Sequence, residues 1–153
     1  MKVIEFLDNQ AAEYEILHHR PVFTAQQMAA EEHVSGMNVA KPVVVKVDGE
    51  PFMCVLPACC KVDLDLLKRQ MNAKQVELAD EADMAKLFPD CELGAEPPFG
   101  DLYGLKTLMD STLETDEFIV FQGGTHQEAI NMKLAEFKRL AQPQIVSFSY
   151  HSS

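Results

Sequence analysis

The chain has 153 residues, 47% of them hydrophobic, with 24 acidic against 13 basic side chains and a formal net charge of −11. That balance excludes a protein that grips long duplex nucleic acid, which requires a broad basic face, so any nucleic-acid contact should be short and local. No run approaches the roughly 20 apolar residues of a membrane span, and MKVIEFLDNQ turns acidic too early for a signal peptide, so the expectation is a single, cytoplasmic domain over residues 1–153 with no membrane partner.

In chain order, Val3, Ile4, Phe6 and Leu7 predict a short amphipathic helix over Lys2–Gln10. Tyr14–His18 alternates as a strand. Thr24-Ala25-Gln26-Gln27 has capping-box spacing and predicts a helix over Ala25–His33, ended by Ser35-Gly36. Next come Pro42-Val43-Val44-Val45-Lys46-Val47, Asp48-Gly49 and Pro51-Phe52-Met53-Cys54-Val55-Leu56, the strongest hairpin signal in the chain. A two-residue turn there sets Lys46 opposite Pro51, and places it on one face with Val44, Met53 and Val55. Both faces of the hairpin are apolar, which predicts cover on both sides. An ammonium on such a face either snorkels to water at the strand end or serves a pocket.

Asp63 can cap a helix through Leu64, Leu66, Leu67 and Met71; Val76–Leu78 reads as a short strand; Asp80 and Asp83 open a helix that must stop before Pro89. Two glycines bracket Pro97-Pro98 in Gly94-Ala95-Glu96-Pro97-Pro98-Phe99-Gly100, which predicts a stiff loop. Gly100 and Gly104 read as turn residues. Leu105–Met109 and Glu117–Phe121 are further strands, and Gly123-Gly124-Thr125-His126 interrupts the pattern. Ala129–Met132 alternates as a strand, whereas Leu134, Phe137, Leu140 and Ala141 have helical spacing. Pro143 should end that helix, and Ile145–Tyr150 is a last strand or a tail. The sum is one α/β domain with mostly antiparallel strands and short helices.

The chain lacks a nucleophile elbow, a zincin helix, a P-loop and a dinucleotide fingerprint. Cys54, Cys59, Cys60 and Cys91 form no Cys-x-x-Cys pair, so free thiols and no metal are expected. What remains is a set of polar groups on loops: His19, Thr24, Lys46, the Gly94–Gly100 loop and Gly124-Thr125-His126. His126 follows two glycines whose backbone can approach an oxyanion, or else Thr125 simply caps a helix there.

His19-Arg20-Pro21-Val22-Phe23-Thr24 resembles the His-x-x-x-x-Thr element of the YbaK-type aminoacyl-tRNA editing domains, which include the insertion domain of bacterial prolyl-tRNA synthetase and its freestanding relatives. Ala40–Lys46 resembles the family's lysine-bearing strand, Gly94–Gly100 its Gly-x-x-x-Pro loop, and Gly124-Thr125-His126 its last signature. The four elements stand in family order from Phe6 to about Leu140. The resemblance implies a mixed, mostly antiparallel, barrel-like sheet (an α/β, or α+β, fold) surrounded by short helices, with Ala129–Met132 as a strand. It implies a freestanding hydrolase that clears a small amino acid from mischarged tRNA, nearer the alanine-clearing than the cysteine-clearing side, with alanine on proline tRNA as the first expectation. It assigns Lys46 as catalytic, and His19, Thr24, Gly94, Pro97, Pro98, Phe99, Gly100, Gly124, Thr125 and His126 as substrate-binding. In this reading Pro97-Pro98-Phe99 forms an apolar wall against large side chains. The implied partner is the aminoacyl end of tRNA, with a synthetase or elongation factor as a further one, and no cofactor is implied. Lys41, Lys46, Lys61, Lys68 and Arg69 are the candidate phosphate contacts. The alternative is a non-catalytic module that keeps the pocket for another small acyl or nucleotide ligand.

Overall fold

The fold is described from a computed structural model, over residues 2–18 and 37–151. His19, Thr24 and the helix expected over Ala25–His33 lie outside the described residues.

The hairpin forms as its sequence predicts. Strands β2 (Ala40–Val47) and β3 (Glu50–Pro57) pair antiparallel with Lys46 opposite Pro51 and Val44 opposite Met53. Asp48 and Gly49 have φ of 50° and 86°, the left-handed pair that a type I′ turn requires. The Asp48 carboxylate also accepts from the backbone N–H groups of Lys74 and Gln75 at 3.0 and 2.8 Å, and so fixes the approach to β5 (Val76–Leu78).

Around the hairpin, β5 joins β2 antiparallel, whereas β6 (Lys106–Asp110) joins β3 in parallel and β9 (Gln144–Val146) joins β6 in parallel. A second sheet is antiparallel, in the order β1 (Glu15–His18), β8 (Glu128–Lys133), β7 (Phe118–Gln122). A third pairs β4 (Cys60–Val62) with β10 (Ser149–His151), so the expected last strand is split in two. The strand pairing is mixed and mostly antiparallel, as expected, and among the described residues none of the three sheets is closed. Val39 links two of them: it bridges Val120, and its carbonyl accepts from Ala58 N–H at 2.8 Å.

Both faces of the hairpin are covered. Val44, Met53 and Val55 pack with Ile119, Phe121, Ile130 and Phe137, together with Val3 and Leu7 of α1 (Lys2–Asn9). Val45, Phe52, Cys54 and Leu56 pack on the opposite side with Phe148 and Leu67 of α2 (Leu64–Gln70). Helix starts follow their caps. Asp63 accepts from Leu66 N–H at 3.0 Å, and Asp80 and Asp83 form a reciprocal capping box ahead of α3 (Glu81–Leu87). The ambiguous segment contains both predicted periods in succession. Strand β8 runs to Lys133, then α4 (Leu134–Ala141) buries Leu134, Phe137, Leu140 and Ala141 and ends at Gln142, just before Pro143.

Candidate active site

Two loops far apart in the chain form one wall. Glu92 N–H donates to Gly124 carbonyl at 2.9 Å, and Gly124 N–H returns a bond to Ala95 carbonyl at 2.8 Å. His126 Nε2 lies 2.8 Å from Leu93 carbonyl and 4.0 Å from the Glu92 carboxylate. Gly94 and Gly124 take φ of 87° and 102°, which is why glycine stands at these two turns of the seam. No helix begins at Thr125: its hydroxyl accepts from Gln127 N–H at 3.4 Å within a turn, and β8 follows.

Behind this seam the Gly94–Gly100 loop is held from inside. Glu96 is buried, and its carboxylate accepts from Gly94 N–H at 3.0 Å. Burial pushes its pKa above the usual value, with the backbone bonds and His126 acting the other way. Gly100 N–H donates to Thr107 Oγ1 at 3.0 Å, and a Cβ at Gly100 would meet that oxygen at 2.5 Å, so the position needs glycine. A groove of ≈ 290 Å³ runs along the seam, lined by Pro42, Val43 and Val44 of β2, Ala79, Met84 of α3, and Leu93, Gly94 and Glu96.

Pro97, Pro98 and Phe99 are all buried. The Phe99 ring, 1% exposed, packs 5.6 Å from Phe6, 5.5 Å from Phe121 and 5.3 Å from Phe137, centroid to centroid. It sits in the core rather than among the residues that line the groove.

The two lysines of β2 occupy opposite faces. Lys46 is paired with Asp83 of α3 at 2.7 Å, and this bond holds the ammonium above its usual pKa and the carboxylate below. Lys41 is half-buried, donates to Ala58 carbonyl at 3.3 Å, and is lowered by burial. Lys61 is exposed on β4, and Lys68 and Arg69 are exposed on α2, beside Asp65 and Asn72.

Two further buried polar groups, one lining the groove and one next in the chain to the seam, escaped the sequence reading. One is Glu96. The other is Gln122, 5% exposed, which ends the apolar strand Phe118-Ile119-Val120-Phe121 directly before Gly123. The sequence signal for it was a polar residue at an inward-facing strand position.

Among the described residues the cysteines form no disulfide. Burial pushes the Cys54 thiol to about 12 and that of Cys91, 3.3 Å from the Tyr103 hydroxyl, to about 11. Cys59 Sγ lies 3.1 Å from Met37 Sδ. Among the described residues no helix is long and apolar enough to cross a membrane.

Residues 19–140 match the family model of the aminoacyl-tRNA editing domain. The sequence is 28% identical over 152 residues to the multifunctional Ser/Thr-tRNA deacylase ProXp-y of Escherichia coli K12, covering 96% of this chain and 90% of that protein. The fold is similar to that of the hypothetical protein APE2540 (TM-score 0.89, 19% identity, 98% of this chain and 100% of that one). It is also similar to that of a candidate trans-editing enzyme for prolyl-tRNA synthetase (TM-score 0.85, 16% identity, 97% and 95%). Fold and sequence match together define a hydrolase of the aminoacyl-tRNA deacylase class. The chain belongs to the aminoacyl-tRNA editing domain family.

Proposed function

We propose that this chain acts in trans, as a freestanding deacylase that removes a small amino acid from the 3′ end of mischarged tRNA. The observation that supports it best is the seam between Leu93–Ala95 and Gly124–His126, which brings two of the family-like elements into one wall beside a groove. An aminoacyl ester is already activated, so its hydrolysis needs a confined water and a few oriented donors rather than a protein nucleophile. The N–H groups of Gly94, Gly123 and Gly124 are taken by Glu96, Glu128 and Ala95. Donors for the ester oxygen must therefore come from elsewhere, with Thr125 N–H and a lysine of β2 as the candidates.

Lys46 is the lysine that the family resemblance assigns. To meet a substrate it must leave a carboxylate at 2.7 Å, whereas Lys41 need leave only a carbonyl at 3.3 Å. A short bond between two opposite charges costs more to break than a longer one from an ammonium to a neutral carbonyl, which favours Lys41 as the second reading.

Alanine on proline tRNA was the first expectation for the substrate. The likeness to a Ser/Thr-tRNA deacylase over nearly the whole chain supports serine and threonine beside it. The test is a deacylation panel of alanyl-, seryl-, threonyl- and cysteinyl-tRNA at enzyme concentrations close to those of substrate. Release of serine, threonine or alanine ahead of cysteine is expected. No release from any of the four would leave the pocket as a binding module and end this reading.

A further inference from the structure

The three-stranded sheet has one face on the main core and a second, smaller apolar face. On that second face Gln122 lies directly opposite Ala129, and Ala129 opposite Leu17. Strand alternation adds Val120 to the same face, and Val120, Ala129 and Leu17 pack there with Val39 and Ala58. Lys41 borders the same cluster through its bond to Ala58 carbonyl, and the Gly123–His126 turn begins at the next residue after Gln122. Gln122 is thus the buried polar residue of this face, between a half-buried ammonium and the seam of the candidate site; Asn131, opposite Val120 on the same face, is less deeply buried.

Gln122 is 5% exposed, and among the described residues its buried amide oxygen Oε1 has no hydrogen-bond partner. A buried amide oxygen left unpaired costs free energy, and native interiors satisfy nearly all such groups. A carboxamide carries both an acceptor and donors. A hydroxyl, itself donor and acceptor, complements it at either end, while the neighbouring alanine and valine side chains suit the carbon that bears the hydroxyl. An ammonium, which only donates, is better matched by a carboxylate such as Glu96 on the other loop.

We propose that Gln122 is the specificity residue that reads the side-chain hydroxyl of a seryl or threonyl substrate and so favours these over alanyl. The proposal rests on the deacylase reading above for the substrate class, and on the buried, unpaired amide oxygen for the residue. A site built to hydrogen-bond a hydroxyl discriminates against the analogue lacking it, because its own polar group is then left unpaired.

The test compares wild type with Gln122→Met, which keeps the length and loses the amide, and Gln122→Glu, which keeps an acceptor. With seryl- and alanyl-tRNA, Gln122→Met is expected to lower kcat/KM for serine about tenfold and to leave alanine within about twofold. Gln122→Glu should retain most of the serine preference. Because the buried amide oxygen is unpaired among the described residues, Gln122→Met should melt no lower than wild type. Equal losses on both substrates would mean that Gln122 meets a group common to them, such as the ribose, and would overturn the proposal; so would an unchanged ratio. Binding of non-hydrolysable seryl- and alanyl-3′-amino-3′-deoxyadenosine separates this from failure of the deacylase reading. A serine preference lost in Gln122→Met supports Gln122 even without turnover, and equal binding of the two analogues by wild type overturns it.

Discussion

His126 Nε2 lies 2.8 Å from the carbonyl oxygen of Leu93, 33 positions earlier in the chain. The bond joins a buried imidazole to the rim of the groove, since Leu93 lines it and His126 is 6% exposed. Removing the imidazole leaves the Leu93 carbonyl without that partner and loosens the one wall that both loops share. His126→Ala is therefore expected to cost about 1–3 kcal/mol of stability and to lower kcat/KM by more than this loss of folded protein explains. Unfolding curves and deacylation rates on the same preparations check it, and a fully folded mutant with wild-type rates would remove His126 from the site.

The two lysines of β2 separate the sequence-based and structure-based assignments. If the half-buried Lys41 supplies the donor, Lys41→Ala should reduce kcat roughly a hundredfold, the scale of losing one donor to a developing oxyanion. Lys46→Ala should then act mainly on the fold. Asp83, whose pKa Lys46 depresses, contributes stability above its ordinary range that is lost as pH falls through its folded value. Lys46→Ala should accordingly shrink the stability lost on acidification while deacylation at neutral pH persists. The opposite pattern, activity lost only in Lys46→Ala, would return the role to Lys46.

Phe99 is expected to act through the core. Its ring contacts Phe6, Phe121 and Phe137 from three different elements, so Phe99→Ala should cost about 3–5 kcal/mol. Phe99→Leu refills most of the volume and should fold. If the ring only backs the Pro97-Pro98 wall, Phe99→Leu leaves the kcat/KM ratio between a large and a small aminoacyl-tRNA unchanged. A ratio that moves toward the larger substrate would show that Phe99 itself limits pocket size, as its place in the motif first implied.

Local chemistry made much of this fold legible in the sequence. Asp48-Gly49 specified the hairpin and its register, Asp63 and the Asp80/Asp83 pair specified two helix starts, and alternation specified both covered faces. Strand β4 was not legible, because three residues, Cys60-Lys61-Val62, carry no period to read. Nor were the parallel pairings of β3 with β6 and β6 with β9, since partners distant in sequence leave no local trace. At the site, the glycines marked both loops, but their contacts did not follow from sequence. Phe99 read as a wall because it stands beside two prolines, and only its three ring partners place it in the core. Lys46 stood out because it broke an apolar strand face, yet Asp83, which answers that charge, is a helix cap 37 positions later. Lys41 and Gln122 drew less attention because each sits at the end of its apolar run, where polar residues are ordinary.

The last prediction concerns the charge on Glu96. Its carboxyl is buried, and burial raises its pKa above the ordinary 4.5, against smaller opposing effects from backbone bonds and His126. A carboxyl whose folded pKa is raised contributes most below its unfolded value, and that contribution is lost as pH rises through the folded value. At neutral pH, ionised Glu96 is thus a cost that the fold carries. Glu96→Gln keeps an oxygen to accept from Gly94 N–H and removes the charge. The variant should melt above wild type at about pH 7, and the gap should close as pH falls to about 4, where the carboxyl is largely neutral in both states. Thermal unfolding of the two proteins across that range measures the gap. If Glu96 also faces the substrate ammonium across the groove, the stabilised variant should bind aminoacyl analogues more weakly at neutral pH, so that stability and affinity move in opposite directions. A gap that stays constant with pH would mean that the carboxylate's surroundings already compensate its charge, and a variant both less stable and weaker in binding would make Glu96 a structural strut of the loop.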